Sequence, residues 1–286
     1  MQIALTGASG FIGSHLVNVF LGKNWKANPI LRDDLALSSK DLAKKLDGSE
    51  VIINLAGANI VKRWTEDYKK ELYSSRIDTT IKLVEAMGQM SRKPEMFIST
   101  SATGIYDDKG RYSESDYNFA NDYLAKIVKD WEEAALRARQ INIRTVIFRF
   151  GVVLGKGGLL AKMFPPFKLG MGGKIGSGRQ SFSWVHIEDL SRTYMFAVEK
   201  EELEGIYNLV SPNPVTNKVL TKTLAKILHR PAVLPIPFWL LWLMFGEGAA
   251  AISSGQNVFP ERLLKTGFRF RFETIENALG DLVPNL

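Results

Sequence analysis

Thr6-Gly7-Ala8-Ser9-Gly10-Phe11-Ile12-Gly13 lies between Ile3-Ala4-Leu5, an apolar run that reads as a buried strand, and Ser14-His15-Leu16-Val17-Asn18-Val19-Phe20, which has helical spacing. Strand, glycine-rich turn and helix in that order form the context in which such glycines bind a dinucleotide. Gly7 permits the tight turn, Gly10 lets the backbone approach a pyrophosphate, and Gly13 lets helix and strand pack closely. The first helix then points its free N–H groups at the phosphates. An ordinary glycine-rich loop is the blander reading, and the two flanks argue against it.

Working outward, apolar runs at Ala27–Leu31, Val51–Asn54, Met96–Ser99 and Thr145–Arg149 alternate with helical patterns, notably over Thr65–Met87 and Asp122–Arg139. In the latter, Leu124, Ile127, Val128, Trp131 and Ala135 share one face. This alternation predicts an α/β fold, a doubly wound parallel sheet of Rossmann type with ligands beyond the carboxyl ends of its strands. From Gly151 the texture changes. Glycines from Gly155 to Gly178 surround Phe164-Pro165-Pro166-Phe167 and predict irregular backbone, followed by a strand at Gly205–Val210 and further helices. At 286 residues, a main domain with a smaller lobe is expected. The dinucleotide-binding domain is placed at residues 1–165, completed by strands near 184–187 and 205–210, and a small mixed substrate lobe at 166–183 and 213–286.

The chain has no cysteine, which excludes disulfides, thiolate metal sites and a cysteine nucleophile, and no metal site is expected. Strand-forming residues begin at Gln2, leaving no room for a secretory signal, so a cytoplasmic protein is expected. The longest apolar run, Ala232 to Phe245, is broken by Pro235 and Pro237. The remaining Phe238–Phe245 falls far short of the roughly 20 residues that span a bilayer. It reads as a buried helix of the lobe, with no stable membrane insertion. The net charge is +7, with Lys and Arg read as scattered over a solvated surface and no nucleic-acid partner expected. Phe268-Arg269-Phe270-Arg271-Phe272 alternates with period two and predicts a strand with phenylalanines inside and arginines outside.

Several longer stretches point to one family. They include Asn54-Leu55-Ala56-Gly57-Ala58 followed by Arg63-Trp64-Thr65, then Ser75-Arg76-Ile77 and Ser101-Ala102-Thr103-Gly104-Ile105-Tyr106. Gly151-Val152-Val153-Leu154-Gly155, Ser183-Trp184-Val185-His186-Ile187-Glu188-Asp189 and Asn208-Leu209-Val210-Ser211-Pro212 continue the series to Gly267-Phe268-Arg269-Phe270. With these the chain resembles the extended short-chain dehydrogenase/reductases, in their atypical YfcH-like "epimerase family" branch. The resemblance implies a Rossmann-type core and a small C-terminal lobe. It also implies a phosphate loop of Gly7, Ser9, Gly10, Phe11, Ile12 and Gly13, with Leu55, Ala56 and Gly57 lying along the cofactor. Arg32 stands near the end of the second strand, where an acidic residue binds a ribose 2′-OH and an arginine accepts a 2′-phosphate. NADP(H) is therefore favoured, with NAD(H) as the alternative. Only about twenty residues separate Arg32 from Val51, too few for a further strand with a crossover of at least roughly 10–12 residues.

Hydride-transferring relatives use a tyrosine four residues before a lysine, which puts both on one helix face and favours the phenolate. None of the eight tyrosines here has lysine at that position. The candidates are Tyr123, with Lys126 three residues on; Ser101, matching a serine that bonds the substrate oxygen or else a loop-capping hydroxyl; and Tyr106 in the same loop. Nucleotide-sugar epimerases hold the diphosphate with an arginine where this chain has Phe182, which cannot bind phosphate by charge. Arg179 is a nearby substitute, Arg63 and Trp64 border the expected substrate, and His186 is a candidate acid/base, while Asp189 reads as a helix cap. The resemblance implies a homodimer through the helices over 65–87 and 122–139. The leading expectation is an NADP(H)-binding oxidoreductase or epimerase-like enzyme acting on a small carbonyl or hydroxyl substrate. The competing one is a catalytically inactive NADP(H) sensor or scaffold.

Overall fold

The computed structural model describes residues 1–285. Six strands, β1 (Gln2–Thr6), β2 (Lys26–Ile30), β3 (Val51–Asn54), β4 (Met96–Ala102), β5 (Arg144–Phe150) and β6 (Gly205–Leu209), form one parallel sheet. Their order is β6-β5-β4-β3-β1-β2. Alternate side chains enter opposite layers. Ile3, Leu5, Val51 and Ile53 pack against Leu16 and Phe20 of α1 (Phe11–Gly22) and Leu190 and Tyr194 of α7 (Ile187–Glu199). Ala4, Ile52 and Phe97 pack against α2 (Ser39–Leu46), α4 (Ile77–Gly88) and α5 (Tyr123–Leu136). Both faces are therefore covered, which is why β3 and the centres of β1, β4 and β5 read as apolar runs.

The short segment after Arg32 makes no strand. It forms a 3-10 turn and α2, whose first turn is capped by Ser38 accepting from Asp41 N–H. This leaves β2 as the sheet's edge, where Pro29 and its missing donor are tolerated. The helical stretch over 65–87 splits into α3 (Glu66–Ser74) and α4 at Arg76, whose guanidinium turns inward.

Four expectations need correction. Trp184–His186 pairs with Val152–Leu154 in a separate two-stranded sheet and does not complete the central one. Phe164-Pro165-Pro166-Phe167 lies inside a helix, α6 (Gly158–Lys168), which simply forgoes the two donors its prolines lack. Phe268, Phe270 and Phe272 are buried and the intervening arginines exposed, as the alternation required, but the segment is not a strand. The Asp189 carboxylate takes the Arg271 and Phe272 N–H groups, each at 2.8 Å, so the backbone is satisfied without a partner strand.

The lobe has its own core, in which Leu160 and Phe167 of α6 meet Trp184, Leu220 and Leu224 of α8 (Asn217–Leu228) and Leu279 of α12 (Ile275–Leu282). Between them come α9 (Phe238–Phe245), α10 (Gly248–Ser253) and α11 (Glu261–Lys265). The fourth correction concerns α9. Only Leu241 of its eight apolar residues is buried; Leu240 and Phe245 are half-buried and the other five are exposed. Among the described residues no helix is long and apolar enough to cross a membrane.

Candidate functional site

The carboxyl ends of β1 and β3 open onto the glycine-rich turn. Gly10 donates to Gly7 O (3.0 Å), and the helical ladder of α1 begins with Ser14 N–H on Gly10 O (2.9 Å). The amides of Phe11, Ile12 and Gly13 thus precede the ladder, and α1 carries neither a side-chain cap nor an acidic residue in its first turn. Such an opening, with its partial positive charge, attracts an anion. Gly7 has φ +67° and a Cβ there would lie 2.8 Å from Leu55 O, while a Cβ on Gly13 would lie 2.1 Å from Gly7 O. Side chains are excluded at both places. Ser9 and Gly10 are exposed at the mouth, and the Phe11 ring lies against the backbone of Gly155 and Gly157. The glycine-rich stretch after β5 thus folds onto the first turn, which the sequence did not indicate.

Beside this turn, buried Thr6 accepts from Leu55 N–H (3.1 Å) and Ala56 N–H (3.2 Å) and donates to Asn54 Oδ1 (2.7 Å). Asn54 in turn donates to Thr80 (2.8 Å). These bonds fix the path of Leu55-Ala56-Gly57, with Gly57 exposed. Arg76 underlies the segment, donating to Leu72 O (3.0 Å) and Ala58 O (2.9 Å), with burial lowering its pKa to about 10. Thr6, Asn54 and Arg76 were missed as site residues; polar residues ending buried apolar strands were the available signal. Arg32 follows β2 with its side chain 90% exposed, 3.6 Å from Glu71, an exposed pair worth little. Asp34, by contrast, is committed: it accepts Leu31 N–H, which holds its carboxyl below the usual range, and pairs with Lys45 at 3.3 Å.

The catalytic candidates are placed less simply. β4 runs on to Ala102, and Ser101 is in register with Arg149 of β5. Both side chains reach Glu132 of α5: Ser101 Oγ donates to Glu132 Oε1 at 2.5 Å, and Arg149 grips both carboxylate oxygens at 2.7 Å. Arg149 also donates to the Tyr106 hydroxyl (2.7 Å), which donates to Asn208 (2.9 Å). Ser101 is 1% exposed and Tyr106 is 0% exposed. Burial pushes the Tyr106 pKa up, and its hydroxyl is enclosed between Arg149 and Asn208, so the structure places the phenol in a closed network. The Tyr123–Lys126 couple is likewise not formed. Tyr123 donates to Lys69 O (2.8 Å), with partial burial raising its pKa, while Lys126 turns to Asp130 (2.7 Å). Glu132 and Arg149 are the functional-site neighbours the sequence did not reveal.

Arg63 donates to Leu243 O at the end of α9 (2.6 Å), and Trp64 Nε1 donates to Ile60 O (3.0 Å) with its ring edge-on to Tyr123. Their loop therefore ties α9 to the main domain. Arg179 is exposed in the loop before Ser181. His186 is 2% exposed, stacked 3.8 Å from the Phe272 ring, with Nδ1 accepting Glu188 N–H (3.1 Å) as the cap of α7. That is a structural role, and it displaces both the acid/base reading of His186 and the capping reading of Asp189. Burial lowers the His186 pKa against the pull of Asp281, Asp189 and Glu188. The imidazole binds a proton more readily in the unfolded chain, so stability falls as pH drops below the unfolded value of about 6.5 and stops falling only at the folded pKa. His186→Asn keeps a capping oxygen and is expected to flatten this dependence, measured by urea unfolding at about pH 7 and about pH 5. The slope is reduced and not abolished, because burial lowers His15 in the same direction. An unaltered slope would refute the assignment.

A cavity of ≈ 340 Å³ beside β6 is lined by Glu114, Arg139, Arg149, Glu204 and Arg262. Its Arg139 is paired with Glu204 (2.9 Å), and β5, β4 and β3 separate it from the phosphate loop, so it is not the coenzyme cleft.

The model of the NAD dependent epimerase/dehydratase family matches residues 3–210, and that of a domain of unknown function, DUF1731, matches residues 236–282. The chain is 35% identical over 299 residues to the epimerase family protein YfhF of Bacillus subtilis, covering 100% of this chain and 99% of that one. It is similar to the crystal structure of human epimerase family protein SDR39U1 with NADPH, at 32% identity, TM-score 0.90 and 100% coverage of both chains. A UDP-glucuronic acid 4-epimerase from Bacillus cereus in complex with NAD shares the fold at 18% identity and TM-score 0.81, covering 99% of this chain and 98% of that one. The family match takes in the whole central sheet and the turn that opens it, and the chain accordingly belongs to the NAD dependent epimerase/dehydratase family.

Proposed function

We propose that the protein binds NADP(H) and interconverts a small carbonyl compound and its alcohol, or an epimer reached through that pair. The observation that carries this reading is the uncapped opening of α1, where side chains are excluded at Gly7 and Gly13. The NADPH in the human relative's structure supports the choice of coenzyme. When bound, the nicotinamide would accept or supply a hydride.

The chain's own residues divide the remaining work. The amides of Phe11 to Gly13 would hold the pyrophosphate, Leu55-Ala56-Gly57 would line the ribose, and exposed Arg32 would take the 2′-phosphate. With the Tyr106 and Tyr123 hydroxyls engaged by Asn208 and by Lys69 O, proton exchange falls to Ser101 and water. Glu132, fixed by Arg149, accepts the Ser101 hydrogen. The burial of Ser101 and Tyr106 favours a second reading, an NADP(H)-binding sensor without turnover.

Titration with the four nicotinamide coenzymes, followed by melting point and fluorescence, tests binding. Arg32→Glu is expected to weaken NADPH by roughly 10- to 100-fold, the worth of a charge-assisted phosphate contact, and to leave NADH nearly unchanged. Equal losses for both coenzymes would remove Arg32 from the 2′-phosphate. Stereospecific NADPH oxidation by a member of a carbonyl panel supports the enzyme, whereas tight binding with no turnover supports the sensor.

A further inference from the structure

Two stretches that lead from the central sheet into the lobe contain no Asp or Glu: residues 151–187 and 205–246. The first carries Lys156, Lys162, Lys168, Lys174 and Arg179, the second Lys218, Lys222, Lys226 and Arg230, nine cations in a chain whose net charge is only +7. These cations are no denser than elsewhere in the chain, but with no acid among them the two stretches hold its net positive charge.

The fold gathers part of this charge beside α9. The 168–178 loop is bonded to the segment entering α9, through Arg230 Nε on Lys168 O (3.0 Å), Ile236 N–H on Lys174 O (2.8 Å) and Gly176 N–H on Ile236 O (2.9 Å). A Cβ on Gly178 would touch both Lys174 and Lys218. The same elements present large apolar side chains to solvent: Trp239 is 66% exposed, Trp242 56%, Leu243 58%, Leu234 56%, Leu169 71% and Met171 56%. A helix apolar all round is normally enclosed, and this one is not. Eight residues rise only about 12 Å, so α9 can lie in a membrane surface and cannot span it.

We propose that α9 and the two loops beside it form a peripheral docking surface for an anionic phospholipid bilayer. Trp239 and Trp242 enter the boundary between headgroups and acyl chains, and Lys168, Lys174, Lys218 and Arg230 face the lipid phosphates. Amphipathic aromatic rings suit that boundary, and long cationic side chains reach the headgroups from it. Each cation near such a surface strengthens partition roughly fivefold. A second copy of the chain is the poorer occupant, since a two-fold contact would bring this basic face against itself.

Flotation of the full chain with phosphatidylcholine vesicles, with and without phosphatidylglycerol, tests the proposal. Binding to the phosphatidylglycerol vesicles is expected, with a blue shift of tryptophan emission. It should fall at least ~10-fold in about 1 M salt, where the screening length is about 3 Å. The double variant Trp239→Ser/Trp242→Ser should lose binding while keeping the wild-type melting point. The proposal is overturned if the chain fails to float with anionic vesicles or floats equally with neutral ones. It is also overturned if the chain behaves as a dimer that the double variant dissociates and no vesicle binding is seen.

Discussion

Gly13→Ala is expected to weaken NADPH binding by more than about 100-fold, or about 2.7 kcal/mol. The added methyl would lie 2.1 Å from Gly7 O and 2.8 Å from Ala8 Cα, and both obstacles are backbone. No rotamer relieves the clash, so α1 must move away from the turn and carry the amides of Phe11, Ile12 and Gly13 with it. Overpacking of this kind also costs about 1–3 kcal/mol of stability, so the melting point should fall in the absence of coenzyme. Gly22→Ala, at the far end of the same helix, is the control. Nothing lies within 4 Å of its Cβ position, and it should leave affinity unchanged. Fluorescence titration of the two variants decides the matter. If Gly13→Ala bound within a few-fold of the parent, the pyrophosphate would have to sit elsewhere.

Arg149→Met is expected to cost about 3–5 kcal/mol, because it strands a buried carboxylate. Glu132 is 6% exposed, and both its oxygens are held by Arg149 at 2.7 Å. At roughly 2–4 °C per kcal/mol the melting point should fall by roughly 10 °C. Glu132→Leu combined with Arg149→Met should be less damaging than the sum of the single changes, since neither charge is then orphaned. Recovery stays partial, because Ser101 and Tyr106 lose hydrogen-bond partners in the same step. Additive losses in a double-mutant cycle would show that the two groups do not act as a pair.

The sheet and the glycine-rich turn that opens it were legible because both are local. Strands enclosed on two faces spell continuous apolar runs, and the turn places its glycines within one short span between strand and helix. The site beyond β4 was not legible, because its partners are distant. Thr100 and Ser101 look like the start of a loop, yet they extend β4, their hydroxyls engaged by Tyr194 and Glu132. Tyr106 was a plausible phenol by position, and only its depth and its bonds to Arg149 and Asn208 disqualify it. His186 took the capping role expected of Asp189 for a similar reason. Which of them caps α7 depends on a C-terminal segment that returns more than 80 residues later to claim the carboxylate. Composition identified α9 as apolar, but whether an apolar helix faces the fold or the solvent depends on the surface beside it.

That returning segment also orders the assembly of the chain. Phe268 and Phe270 join the core layer that includes α1 and α7, Phe268 packing edge-on against Phe196, and Phe272 joins the lobe core. During synthesis neither core therefore has its full set of side chains until this segment has emerged, so one short stretch completes both.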